Sequence, residues 1–176
     1  MTVGRFRAID DGQCTIDHAR MRLYVCSFAF PPARDRVLLI RKNRPAWQAG
    51  KLNGVGGKIE PGETPRQAAR REFEEETGLA LPEEAFEHVL TLAGPDDISV
   101  PDRPGPIGWQ GLFFGVICDV DAARSVTDEG LEVHPVAALP DSVIPNLRWI
   151  IPMMLDQWLA AGEYEVDVRG GGRRDR

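Results

Sequence analysis

GKIEPGETPRQAARREFEEETGL, residues 57–79, spells out a helix with both ends marked. Thr64 offers a capping hydroxyl, Pro65 suits the first helical position, and Gln67 lies three residues after the cap, where it can close a capping box. Gly78, lacking a Cβ, can take the left-handed conformation that ends a helix. At 100° per residue, Glu72, Glu75 and Glu76 fall within an arc of about 100°, so three carboxylates share one face. Ala69 and Phe73 supply an apolar strip on the other side, which seats the helix against a sheet. Like charges at the spacing of Glu72 and Glu76 weaken a helix by a few tenths of a kcal/mol, roughly, and call for compensation. A divalent cation would supply it, because carboxylate oxygens are ligands that Mg²⁺ and Mn²⁺ prefer. The helix by itself fits a solvated acidic face better, since runs such as Glu74-Glu75-Glu76 are usually exposed. Gly54-Val55-Gly56-Gly57 and Glu63, just upstream, favour the metal, because glycines let main-chain atoms approach a phosphate or offer a carbonyl to an ion. Arg71, four residues before Glu75, can pair with a neighbouring carboxylate and orient it.

Outward from this stretch the chain alternates strands and loops. Residues 21–30 (MRLYVCSFAF) and 36–41 (RVLLIR) are rich in β-branched and aromatic residues and are divided by Pro31-Pro32, which predicts two adjacent strands and a tight loop. Residues 43–63 hold too many glycines for a helix and too little alternation for a long strand, and read as a loop. Beyond the helix, residues 86–92 and 111–120 read as strands, with the proline- and glycine-rich residues 93–108 as an exposed loop between them. A short strand is predicted at 131–136, then a helix over 146–161 with Pro152 inside it, where a kink or a new helical segment is expected. Residues 163–168 predict an edge strand. The terminal GGGRRDR has nothing to bury, so 169–176 reads as a disordered tail behind one domain over 1–168.

The chain of 176 residues is 43% hydrophobic, enough for a substantial core, and carries a formal net charge of -6. That charge argues against binding a nucleic acid polymer, which normally needs a basic face. An acidic protein that handles phosphates needs a local device, such as a bound divalent cation. Cys14, Cys26 and Cys118 are odd in number and show no paired spacing, so they read as buried free thiols. Neither a signal-peptide core nor a membrane-spanning run is evident, and the expectation is a cytoplasmic protein without a membrane partner. Oligomeric state is not legible, because an apolar interface cannot be told from core.

Residues 57–79 as a whole resemble the Nudix box. Gly57, Glu63 after five intervening residues, Arg71-Glu72-Phe73 after seven more, then Glu75-Glu76, Gly78 and Leu79 all match the pattern, with Phe73 where an aliphatic residue is more usual. The resemblance implies an α/β fold, the Nudix α/β/α sandwich with a mixed central sheet, and a Mg²⁺-dependent pyrophosphohydrolase in which Mn²⁺ can substitute. It implies that Glu72, Glu75 and Glu76 bind the metal, with the Gly56 carbonyl as a further ligand and Glu63 assisting through water or from a second layer. Arg71 would position a catalytic glutamate, and the general base falls on Glu72, with Glu75 beside it. A distant acidic ligand is common in the family, and Asp128-Glu129 is best placed, Glu129 being preferred. A polar turn before a strand is the plain alternative for this pair.

LNGVGGK is similar to the corresponding part of the branch that hydrolyses oxidised purine nucleoside triphosphates, where an asparagine at the position of Asn53 touches the base. IPNLRWIIP has the spacing of that branch's base-binding segment, but Asn146 and Leu147 replace acidic residues there and Ile144 replaces a tryptophan. The implied substrate-binding residues are Asn53, Gly57, Lys58, Trp47, Asn146 and Trp149, with Trp109 a further stacking candidate. The leading expectation is hydrolysis of a nucleoside triphosphate to monophosphate and pyrophosphate. A nucleoside-diphosphate derivative such as ADP-ribose is the rival, weakly supported by Pro95 sixteen residues after the box. Dinucleoside polyphosphates and capped RNA ends belong to the same chemical class, and a non-catalytic nucleotide-sensing module is the alternative of another kind. Gly56→Val is expected to damage activity more than stability.

Overall fold

A computed structural model of the chain describes residues 21–98, 107–160 and 164–167. The expected tail over 169–176, Cys14 and the N-terminal residues lie outside them. In chain order the elements are β1 (Met21–Phe30), β2 (Arg36–Arg41), β3 (Leu52–Asn53), α1 (Pro65–Thr77), β4 (Glu87–Ile98), β5 (Ile107–Ile117), β6 (Gly130–Pro135), α2 (Leu147–Ala160) and β7 (Tyr164–Asp167). The strands form one mixed sheet ordered β3-β2-β1-β5-β4-β7, with β6 paired to β2. β1 runs parallel to β5 along its whole length, from Met21↔Gly108 to Phe30↔Ile117. β2 is antiparallel to β6 from Arg36↔Pro135 to Arg41↔Gly130, and β1 and β3 share its other edge.

Strand alternation sorts the core into two layers, one on each face of the sheet. On one face Val25, Ala29, Leu38, Ile40, Leu112 and Phe114 pack with Ala68, Ala69 and Phe73 of α1. On the other, Phe28, Phe30, Val37, Leu39 and Phe113 pack with Leu147, Ile150, Ile151 and Met154 of α2. The chain is therefore an α/β/α sandwich. Phe73, fully buried, meets the ring of Phe86 edge-on at 5.6 Å. Burial of such a side chain is worth about 1.5–3 kcal/mol, which fixes the depth and rotation of α1. The opposite face of α1 then has no choice but to carry its glutamates toward the loop that precedes it.

α1 begins and ends where its local chemistry predicts. Gln67 N–H donates to Thr64 Oγ1 at 3.2 Å and Thr64 N–H donates to Gln67 Oε1 at 3.0 Å, a closed capping box. Gly78, at φ 70°, donates its N–H to the Glu74 carbonyl.

Three expectations change. Residues 93–98 and 107–108 are not loop: β4 and β5 continue past a register irregularity to the pair Ile98↔Ile107, because the hairpin ladder satisfies main-chain groups that prolines and glycines nearby do not prevent from pairing. β3 lies inside the expected loop, fastened to β2 through Ile40↔Asn53 and Arg41↔Leu52. Pro152 begins no new segment; α2 runs through it as one helix, with the ring exposed. β7, parallel to β4, takes the expected edge position.

Candidate functional site

The glycine loop is stitched along β1 on the edge opposite β5. Ser27 N–H donates to the Val55 carbonyl and Val55 N–H to that of Ser27, while Val25 N–H donates to Gly57 O at 2.9 Å and Ile59 N–H to Leu23 O at 3.1 Å. Gly56 stands at φ +153°, and a Cβ on it would lie 2.2 Å from the Val25 carbonyl oxygen. Only glycine tolerates that place. A Gly56 side chain thus strikes the backbone of β1, so its cost falls on the fold as well as on the site. A Cβ on Gly57 would meet the Glu72 carboxyl at 2.5 Å, so the glutamate of α1 lies directly against the loop.

Two cations organise the carboxyl groups. The Arg71 guanidinium donates from Nε to Glu63 Oε1 at 2.7 Å and from NH2 to Glu63 Oε2 at 2.9 Å. It also donates from NH1 to Glu72 at 2.8 Å and to Glu75 at 3.1 Å, and from NH2 to the Lys58 carbonyl. The planar fork of arginine suits this many partners, and it holds three glutamates in register. These hydrogen bonds pull the Glu63 carboxyl down to about 2 and raise Arg71 further above its ordinary value.

The second cation is Lys42, which the sequence reading did not single out. Its Nζ lies 3.1 Å from Glu76 Oε1 and 2.5 Å from Glu129 Oε2. Main-chain N–H groups hold the remaining oxygens: Gly56 N donates to Glu76 Oε2 at 2.9 Å and Asn43 N to Glu129 Oε1 at 2.7 Å. Both glutamates are buried, at 8% and 5% exposure. Burial raises the Glu76 carboxyl from its ordinary value, outweighing Lys42 and the Gly56 N–H. Burial by itself would lower Lys42, but its hydrogen bonds and charge pairing with Glu129 and Glu76 prevail and raise it. A signal for Lys42 was present in the strand period, since Leu38 and Ile40 face α1 and Lys42 continues that alternation.

Asp128, exposed, pairs instead with Arg44. Among the described residues no three His, Cys, Asp or Glu side chains converge as they stand on a point that would hold a metal ion. The donor set nevertheless fits a hard divalent cation. Five carboxyl groups, Glu63, Glu72, Glu75, Glu76 and Glu129, face two cations, and every available ligand atom is oxygen.

Asn53 and the segment that enters α2 lie together, away from the glutamates. Leu52 N–H donates to Ser142 O and Ile144 N–H to Leu52 O, at 2.9 and 3.0 Å, so β3 and the segment entering α2 are joined. Asn53 follows directly; its Nδ2 donates to Gln48 Oε1 and its Oδ1 accepts from Gly54 N. Asn146 Oδ1 is buried without a hydrogen-bond partner. Trp47 and Trp149 are 61% and 44% exposed, whereas Trp109 packs against the α2-side core. Lys58 is exposed and bridges to Tyr24 through its backbone. Cys26, beneath Asn53, has its thiol pushed up to about 12, first by burial and then by Glu76.

The model of the NUDIX domain matches residues 21–153. Over 46 residues the chain is 59% identical to an oxidized purine nucleoside triphosphate hydrolase of Danio rerio, covering 26% of this chain and 29% of that one. The chain thus spans under a third of that curated relative. A putative 8-oxo-dGTP diphosphatase of Bacillus subtilis is 34% identical over 116 residues, covering 65% of this chain and 67% of the relative. Among solved structures, a MutT NUDIX hydrolase from Burkholderia pseudomallei superposes with a TM-score of 0.60 at 23% identity, over 78% of this chain and 97% of that one, which shows the shared fold. With the family model spanning the sheet from β1 to β6 and the glutamate helix on its face, this chain belongs to the Nudix family.

Proposed function

We propose that the chain hydrolyses a diphosphate linkage in a nucleoside triphosphate, oxidised or otherwise non-canonical, to give the monophosphate and pyrophosphate. The observation that carries this reading is the excess of carboxyl groups gathered by Arg71 and Lys42 against the Gly56–Gly57 backbone. Glu72, Glu75, Glu76 and Glu129 would hold Mg²⁺ together with the Gly56 carbonyl. When bound, the ion would neutralise charge on the attacking and leaving oxygens and make water easier to deprotonate. Glu72 would accept the proton of the attacking water as its oxygen bonds to phosphorus and the bond to the pyrophosphate oxygen breaks. Arg71 is a positioning residue that keeps Glu72 and Glu75 pointed at one place, and Glu63 in turn fixes Arg71.

At the second place, Asn53 and Asn146 would read the base. A buried amide oxygen without a partner costs about 1–3 kcal/mol, and an N–H donor on a base edge would relieve that cost at Asn146. Trp47 and Trp149 offer exposed ring faces for stacking.

The test is chromatographic separation of products from canonical and oxidised nucleoside triphosphates, ADP-ribose and diadenosine tetraphosphate, with Mg²⁺ and with chelator. Chelator-sensitive conversion of a triphosphate to monophosphate and pyrophosphate is expected, and Glu76→Gln should lower it at least about a hundredfold while the fold persists. Cleavage of ADP-ribose alone would move the substrate class. Unchanged turnover in Glu76→Gln would overturn the metal assignment.

A further inference from the structure

We propose that Lys42 is a displaceable internal counterion, which holds Glu76 and Glu129 together in the metal-free chain and must withdraw when a divalent cation enters. The proposal rests on the metal site of the preceding reading. Each of these two glutamates gives one oxygen to a main-chain N–H, Gly56 for Glu76 and Asn43 for Glu129. Each gives its other oxygen to the Lys42 ammonium. These main-chain contacts fasten Glu76 Oε2 to the glycine loop and Glu129 Oε1 to the residues that follow β2. The oxygens that face the space between the two carboxylates, where a cation would bridge them, are Glu76 Oε1 and Glu129 Oε2, the two that Lys42 occupies. Two positive centres cannot share that space at contact distance without strong repulsion.

Lysine is suited to such exchange. Its ammonium is a compact charge on a flexible stem, unlike the rigid fork of Arg71, which is also tied to the Lys58 carbonyl. The side chain of Lys42 is 14% exposed, so it fills the gap between the two carboxylates as well as neutralising them. In the absence of the ion this keeps two buried carboxyl groups paired; in its presence the freed ammonium stays tethered beside the cation.

The experiment measures Mn²⁺ binding, without nucleotide, by the electron paramagnetic resonance of the free ion in wild type, Lys42→Gln and the charge control Lys51→Gln. In parallel, wild type is treated with an amine-acylating reagent with and without Mg²⁺, and labelling of Lys42 is quantified against Lys51 by peptide mass spectrometry. Lys42→Gln is expected to bind Mn²⁺ about tenfold more tightly, about 1.4 kcal/mol, with Lys51→Gln near wild type. Mg²⁺ is expected to raise the labelling of Lys42 in wild type. Unchanged or weaker binding in Lys42→Gln, or an equal gain in Lys51→Gln, would overturn the proposal and leave the metal site standing. Wild type that binds no Mn²⁺ would remove both. If Lys42→Gln does not fold, the labelling decides, and Mg²⁺-independent labelling overturns the proposal.

Discussion

Glu63→Gln should destabilise the protein at neutral pH and cease to matter in acid. The wild-type carboxyl is lowered from 4.5 to about 2, chiefly by the hydrogen bonds from Arg71. A depressed carboxylate contributes stability that is fully present above its unfolded value and is lost as the pH falls through the folded one. The window here runs from about 4.5 down to about 2. Taken whole, the shift corresponds to about 3 kcal/mol. The Glu63 side chain keeps 21% of its exposure and Arg71 25%, so solvent screening reduces this to about 1–2 kcal/mol. For a chain of this size that is a fall in melting temperature of about 2–8 °C at pH 7. At pH 3 more than half of the difference should be gone, because the wild-type advantage is itself titrating away. Thermal melts of the two proteins from pH 7 to pH 3 check this. A difference that is absent at pH 7, or that is undiminished at pH 3, would refute the assignment of Glu63 as the charged anchor of Arg71.

Gly56→Ala should cost about 2–4 kcal/mol, read by urea unfolding, since its methyl would meet the Val25 carbonyl at a backbone angle that side chains avoid; stability within 0.5 kcal/mol, roughly, would contradict the close approach. Thr64→Ala removes the cap of α1 and should cost about 1 kcal/mol, while Thr64→Ser should retain most of it. Cys26, with its thiol pushed up to about 12 by burial, should resist iodoacetamide at pH 8 in the folded protein and react once unfolded, as followed on its peptide by mass spectrometry. Rapid labelling in the native state would mean that the floor beneath Asn53 is open.

Much of this architecture is written locally. The cap at Thr64, the stop at Gly78 and the common face of Glu72, Glu75 and Glu76 depend on residues three or four apart, and a helix brings those together wherever it lies. The two hydrophobic strands β1 and β2 are legible for the same reason, through composition and the breakers between them. Family membership follows from that short range as well, because the box spans one loop and one helix.

What the sequence by itself did not disclose depends on pairing between distant segments. Lys42 meets Glu76 only because α1 packs on the sheet face that carries Leu38 and Ile40, and meets Glu129 only because β6 lies antiparallel to β2 with Arg41 opposite Gly130. β3 is two residues long, too short for any periodic signal, and exists because β2 has a free edge beyond β1. The extension of β4 and β5 toward Ile98 and Ile107 likewise reflects ladder pairing that outweighs unfavourable composition. Residues close in the chain reveal their geometry through the helical period; residues 34 and 87 positions apart acquire theirs from sheet register and packing, which only the folded chain decides.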